Sequence, residues 1–334
     1  MTYQPNPENS ESDPNAPLAS LVWGEGSGTP IAAASGDVAG SPIPGIYTAV
    51  TQASTVVTYH LLQHDGVDRD DLGRDLALLD GWGRGTPAYR AESPSFRRWL
   101  DSFHAGDPTA IEGPSSEPAS RVTGLGVWFR KDPVRLVESA LSVSRRTHLD
   151  ASTAVVSVAV ASAVAGSCMG MLGSDLLFGA AEACEMASER LVEEAYRFEG
   201  IDGIPRVISR VRALVEIWAC SPTEIVGSLC DVNGPFGIEG ALVGLALGAS
   251  LDSPVRLIEV AAMAGGSETG AIAGGILGAR SGLRRWPWRV PNEMWFAEIG
   301  RRLAAFNNET RDLPVPHAVE GRLGSPSGEG HEHT

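Results

Sequence analysis

The chain has no excess of positive charge. Across 334 residues it carries 26 Lys and Arg against 41 Asp and Glu, a formal net charge of −15. A protein of that sign repels polyanions, so neither nucleic acid nor an anionic membrane is expected as a partner. A phosphorylated ligand remains compatible, because a few Arg side chains or helix N-terminal amides bind phosphate inside an acidic protein. Cysteine is scarce as well. Cys168, Cys184, Cys220 and Cys230 are scattered, with no C-x-x-C and no metal-type spacing. Reduced, mostly buried thiols in a cytoplasmic protein are the expectation. The N-terminus lacks a basic region followed by an apolar run, so no secretory signal is expected. Strand-type alternation and a fixed-period repeat are also missing.

What is present is ordinary for a globular protein. Apolar residues make up 43% and charged residues 20% of the chain, enough for a sizeable core. Residues 1–17, MTYQPNPENSESDPNAP, are polar, acidic and Pro-rich and read as a disordered arm. Residues 18–310 read as one domain. Residues 311–334 read as a mostly disordered tail ending in GHEHT, whose His331 and His333 suit a solvated end that takes up stray metal. Residues 151–173 carry no charge and match the length of a bilayer span. Their composition is mainly Ala and Val diluted by Ser and Gly, which fits close helix packing inside a protein better than contact with lipid.

Apolar residues between the arms recur at helical spacing. Helices are expected at 50–63, from Leu72, at 131–148, at 152–173, from Leu176 to Phe198, and at 205–220. Others are expected at 221–230, 238–249, 254–264, 270–282 and 292–307. Asp68, Asp70 and Asp71 suit a helix start, and Pro133 and Pro222 suit first helical positions. The fold class is therefore all-α. Gly costs about 1 kcal/mol against Ala within a helix. Gly244, Gly248, Gly270, Gly274, Gly275 and Gly278 must then serve close approach of helix axes, which marks the late helices as central.

Seven motifs in order carry a resemblance. They are GEGSGTP (24–30), YTAVT (47–51), GWGRGT (81–86), SSEPASRVTGLGVWFRKDP (115–133), RRTHLDAS (145–152), FGIEGALVGLALGA (236–249) and GGSETGAIAGG (265–275). Together they resemble the ADP-ribosylglycohydrolase family from about Leu18 to Phe306. The resemblance implies an orthogonal helical bundle with a cleft lined by helix ends. In active members it implies two divalent cations, Mg²⁺ or Mn²⁺, that hold the ribose hydroxyls of an ADP-ribosyl group and position a water for cleavage at C1″. Such hard cations need several oxygen ligands, mostly carboxylates.

The sequence departs from that pattern where the metals belong. Thr48 falls on a hydroxyl ligand of the family, but Ala49 and Val50 fall on its Asp pair. Ser267, Glu268 and Thr269 stand where it carries two further Asp residues. The expectation is thus no metal site and no cofactor. Glu25 stands at the Asp of the opening loop, Ala32 at the catalytic Glu of some relatives with Asp37 nearby, and Glu117-Pro118 at the Asn-Gly, while Arg121 is retained. Candidate acid–base groups are Glu25, Asp37, Glu117 and Glu268. Candidate ligand-binding residues are Thr48, Thr51, Arg121, Phe236, Gly266, Ser267 and Thr269.

Each has a plainer reading. Thr48 and Thr51 suit helix caps, and Glu268 suits a helix start. Arg121 suits a buried structural ion pair, His148 a C-terminal cap, and Trp82, Trp128 and Phe236 the core. Three functions follow as expectations. One is a degenerate member that binds a nucleotide or ADP-ribose-like ligand, or a partner, without metal-dependent hydrolysis. Another is a metal-independent glycoside hydrolase acting on an ADP-ribosyl, NAD-derived or other nucleoside-type substrate through a carboxylate pair. The third is a structural or assembly role. Whether the chain is an enzyme, and its oligomeric state, stay open at this level.

Overall fold

A computed structural model describes residues 48–67, 69–81, 89–193, 198–229, 237–253, 256–257, 260, 266–281 and 292–324. Among them the chain is all helical. Its only extended pairings are two isolated parallel bridges, Ile111 with His148 and Asp150 with Glu199. In chain order the helices are α1 Ala49–His64, α2 Arg69–Gly81, α3 Pro94–His104, α4 Glu117–Arg121 and α5 Thr123–Trp128. They continue with α6 Pro133–Thr147, α7 Ala151–Cys168, α8 Gly173–Glu193, α9 Ile204–Ile217 and α10 Pro222–Leu229. The last are α11 Glu239–Ser250, α12 Ser267–Ser281, α13 Glu293–Ala304 and α14 Pro316–Gly324.

Helix α7 is the axis of the bundle. It is apolar all round, so it has no face to offer water and has to be enclosed. It packs against α4, α5, α6, α8, α9, α11 and α12. It is the only described helix long and apolar enough to cross a bilayer, and 83% of it is buried inside the fold. Asp150 starts it by accepting from the Thr153 amide at 2.8 Å. It stops at Cys168, earlier than its composition predicts, because Gly170 at φ 84° turns the chain away.

Helices α11 and α12 pack against each other through their small residues, as the glycine pattern predicts. A Cβ on Gly244 would lie 2.8 Å from Ile272 Cγ2, and one on Gly248 would lie 2.8 Å from Ile276 Cβ. The axes can be this close only because those positions lack side chains.

Three departures from the sequence reading have physical causes. Helix α2 begins at Arg69 rather than Leu72, which puts Asp71 inside its first turn. Helix α3 was signalled by Ser93-Pro94 and by apolar residues at 96, 99, 100 and 103. Ser93 Oγ accepts from the Phe96 amide at 3.0 Å, and Phe96, Trp99 and Leu100 are buried. The expected tail from 311 contains α14, which packs on α1 and α2 and buries Val319 and Glu320. The expected arm at 1–17 and the end of the tail lie outside the described residues.

Candidate functional site

The N-terminal ends of α4, α7, α11 and α12 gather at one place, and side-chain oxygens tie them together. Thr153 Oγ1 in the first turn of α7 accepts from the Ser115 amide at 2.8 Å. Ser116 Oγ donates to the Gly237 carbonyl at 2.7 Å and accepts from the Ala241 amide at 3.0 Å. Thr269 Oγ1 in α12 donates to the Gly240 carbonyl at 3.1 Å. Gly240 fits between these hydroxyls, since a Cβ there would sit 3.1 Å from Ser116 Oγ and 3.2 Å from Thr269 Oγ1. Helix α1 packs on both α4 and α12.

Helix α4 is five residues long and entirely buried. A helix this short has no stability of its own, so its contacts hold it. Glu117 accepts from Ser93 Oγ at 2.7 Å and forms an ion pair with Arg121 one turn later. Arg121 is 1% exposed. Its Nη1 donates to Thr147 Oγ1 at 3.1 Å, and its guanidinium carbon lies 4.3 Å from the centre of the Phe96 ring. Arg121 is thus one half of a buried ion pair.

Thr147 passes the network on to His148, whose Nδ1 lies 2.8 Å from Thr147 Oγ1. The Thr147 hydroxyl accepts from Arg121 and shares a further hydrogen bond with His148 Nδ1, in which either atom can donate. His148 Nε2 is buried and has no hydrogen-bond partner among the described residues. Burial, reinforced by the Arg121 charge, pushes the His148 pKa down to about 3. The residue does stand at the C-cap of α6, with its amide donating to the Ser144 carbonyl at 3.0 Å. A charge–dipole role at that helix end is corrected, however, because this imidazole is held neutral.

Glu268 is half-buried in the first turn of α12. Loss of water around its carboxyl raises its pKa, against the hydrogen bond from its own backbone amide. The Glu117 charge adds to that rise and the Arg121 charge opposes it, so the three groups lie within electrostatic reach of one another. Of the four candidate acids, Glu117 and Glu268 therefore come together, while Glu25 and Asp37 lie outside the described residues. Gly266, at φ 89°, and Ser267 lead into α12 and are half-buried.

Thr48 is the N-cap of α1 and accepts from the Val50 amide at 3.3 Å. Ala49, Val50 and Thr51 are buried in the turn that follows. The structure adds residues that the sequence reading passed over. Gln52 Oε1 accepts from the Arg90 amide at 2.8 Å, Gln52 Nε2 donates to Glu320 at 3.1 Å, and Arg90 pairs with Glu320 at 2.8 Å. No local signal links positions 52, 90 and 320, since only the docking of α14 on α1 brings them together. Tyr89, whose phenol is pushed far up by burial, feels Arg121, Glu117 and Glu320 alike, so it joins this cluster to the α4 network. Trp128 is buried and donates to Asp65 Oδ1 at 3.2 Å. Phe236 and Trp82 lie outside the described residues.

An all-α bundle with its polar groups collected at helix N-termini defines the class of protein. The comparisons agree with it. The family model of the ADP-ribosylglycohydrolases matches residues 7–312. A solved structure described as an ADP-ribosylglycohydrolase-related protein complex is similar, with 20% identity and a TM-score of 0.61, covering 88% of this chain and 99% of the other. No curated protein matches this chain. The chain belongs to the ADP-ribosylglycohydrolase family.

Proposed function

We propose that this family member has lost the two-metal site and binds a nucleotide or ADP-ribose-like ligand, or a partner, without metal-dependent hydrolysis. The observation that carries this reading is the donor set at the ends of α1 and α12. Ala49 and Val50, at 5% and 8% exposure, bury methyl groups where the resemblance expects a pair of carboxylates. The Thr48 hydroxyl caps α1, and the Thr269 hydroxyl donates to Gly240. The described acids of this network are Glu268, a Glu117 that already neutralises Arg121 and a Glu320 that already pairs with Arg90. Two divalent cations bring four positive charges and need several oxygen ligands each. One carboxylate beside an arginine cannot balance that charge, so these residues do not fit the pair of ions. The free thiols of half-buried Cys168 and buried Cys184 support a cytoplasmic setting for the protein.

Calorimetric titration with Mg²⁺ tests the first half of the proposal, and micromolar binding refutes it. A thermal-shift comparison of ADP-ribose and NAD in the presence of a chelator tests the second half. A ligand at 100 times its Kd adds about 2.7 kcal/mol of stability. No shift with any nucleotide leaves only the partner-binding branch, which a pull-down with the full chain addresses.

One observation favours a second reading, in which the protein is a metal-independent glycoside hydrolase. Glu268 is biased toward its protonated form by burial and by Glu117, and a general acid needs that form. Turnover of an ADP-ribosyl substrate in chelator, abolished in Glu268→Gln, would establish it.

A further inference from the structure

A cluster of metal-type side chains lies at the opposite end of α1 from the site described above. His60 and His64 are four positions apart, so they share one face of the helix a single turn apart. Their rings are 4.5 Å apart between centroids and tilted by 36°. Asp75, on the facing side of α2, puts its Oδ2 2.7 Å from His60 Nδ1. One donor atom from each of the three residues falls within 4.8 Å of the others. On the 1.5 Å rise per residue, His60 stands about 18 Å along the helix from Thr48, so this cluster is separate from the family's metal position.

We propose that His60, His64 and Asp75 form a binding site for one transition-metal ion of the Zn²⁺ class. Two imidazoles and one carboxylate suit zinc, cobalt or nickel and not Mg²⁺, which prefers an all-oxygen sphere. Zinc–nitrogen and zinc–oxygen bonds of about 2.0–2.2 Å in a tetrahedron put neighbouring donors about 3.4 Å apart. The His60–Asp75 pair therefore opens by about 0.7 Å to admit the ion, and the proton held between them leaves to solvent. His64 is exposed and closes the distance by rotating its side chain. The burial is graded in the way a site with an entrance requires. The His60 side chain is fully buried, Asp75 is 35% exposed, and His64 faces water. Three protein ligands leave a position open for water. His317 on α14 is also close enough for the Asp75 charge to act on it, which adds another imidazole to the neighbourhood. A simple hydrogen-bonded His60–Asp75 pair explains two of these residues. It gives no account of the second imidazole one turn away, tilted against the first, with a donor atom within 4.8 Å of the other two. The ion would fasten α1 to α2 toward the end where α1 leads into α2.

The test uses the full chain carrying His331→Ala and His333→Ala, because the tail histidines are a chelating pair of their own. After treatment with chelator and a reducing agent, Zn²⁺ is titrated by calorimetry, and melting is followed with and without the ion. The expected result is one Zn²⁺ per chain, a higher melting temperature with the ion, and no response to Mg²⁺. Adding His64→Ala should weaken binding at least tenfold and abolish the melting shift. The metal-free melt should stay close to the parent's, since His64 is a surface residue. Asp75→Asn should weaken binding as well. Parent protein that takes up no zinc, or a His64→Ala variant that binds it with undiminished affinity, overturns the proposal.

Discussion

Replacing Arg121 by Met should be among the most damaging single changes in this protein, and the structure gives its size. Met keeps much of the apolar volume over Phe96 but removes the charge and every donor. Glu117 then stays buried with only the Ser93 hydroxyl to satisfy it, and Thr147 loses a donor. Removing one partner of a buried ion pair costs about 3–5 kcal/mol, most of it from the charge left behind. For a domain of this size each kcal/mol moves the melting temperature by about 2–4 °C, so a fall of about 10 °C is expected. The informative comparison is Glu117→Gln/Arg121→Met. Without the orphaned carboxylate, the double variant should recover most of the loss, since buried pairs replaced together by neutral groups are often tolerated. Chemical denaturation of the wild type, both singles and the double closes the cycle and isolates the pair term. A loss below about 1 kcal/mol in Arg121→Met, or a double variant no better than that single, would refute the argument that the pair holds α4 in place.

Other outcomes can be checked with the same assays. Gly248→Val should destabilise by about 1–3 kcal/mol or more, because the new side chain meets Ile276 across the α11–α12 contact. An unchanged urea midpoint would show that the helices separate freely. His148 has a folded pKa near 3 against an ordinary 6.5, so the unfolded chain binds its proton first. Its contribution is therefore complete above pH 6.5 and drains away as pH falls toward 3, at up to about 1.4 kcal/mol per pH unit. In His148→Gln that part of the acid slope should vanish, and equal slopes from pH 6.5 to 4 in both proteins would contradict it. For Glu268 the sign is opposite. A raised folded pKa makes the ionised carboxyl a liability above the ordinary glutamate range. Glu268→Gln should accordingly be neutral or stabilising at pH 7, with the advantage shrinking on acidification, and a clear loss at pH 7 would show that the charge is needed where it stands.

The sequence was informative wherever chemistry is local. Helix periodicity located most of the bundle, including α1, α6, α9 and α11, because an amphipathic or fully apolar stripe is written in consecutive residues. The absence of charge in 151–168 announced an enclosed helix, and Gly244 and Gly248 announced a close helix contact. Helix α3 is equally legible in its Ser-Pro start and apolar spacing. The short helices α4 and α5 were not legible, since five or six residues hold a helix only through what surrounds them. The sequence also brought Glu117, Arg121, Glu268 and the altered Thr48–Val50 turn to attention through their motifs.

Which of those residues act on each other was decided by tertiary structure alone. Arg121 could have been a ligand-facing cation or an internal one, and only the placement of Ser93, Phe96 and Thr147 around α4 makes it internal. His148 carries an ordinary imidazole in the sequence, and burial beside Arg121 turns it into a neutral one. Glu320 joins Gln52 and Arg90 only because α14 folds back over α1. The physical reason is range. Periodicity, capping and glycine content act over a few consecutive residues, whereas desolvation and charge pairing depend on atoms that neighbour each other only after the chain has folded.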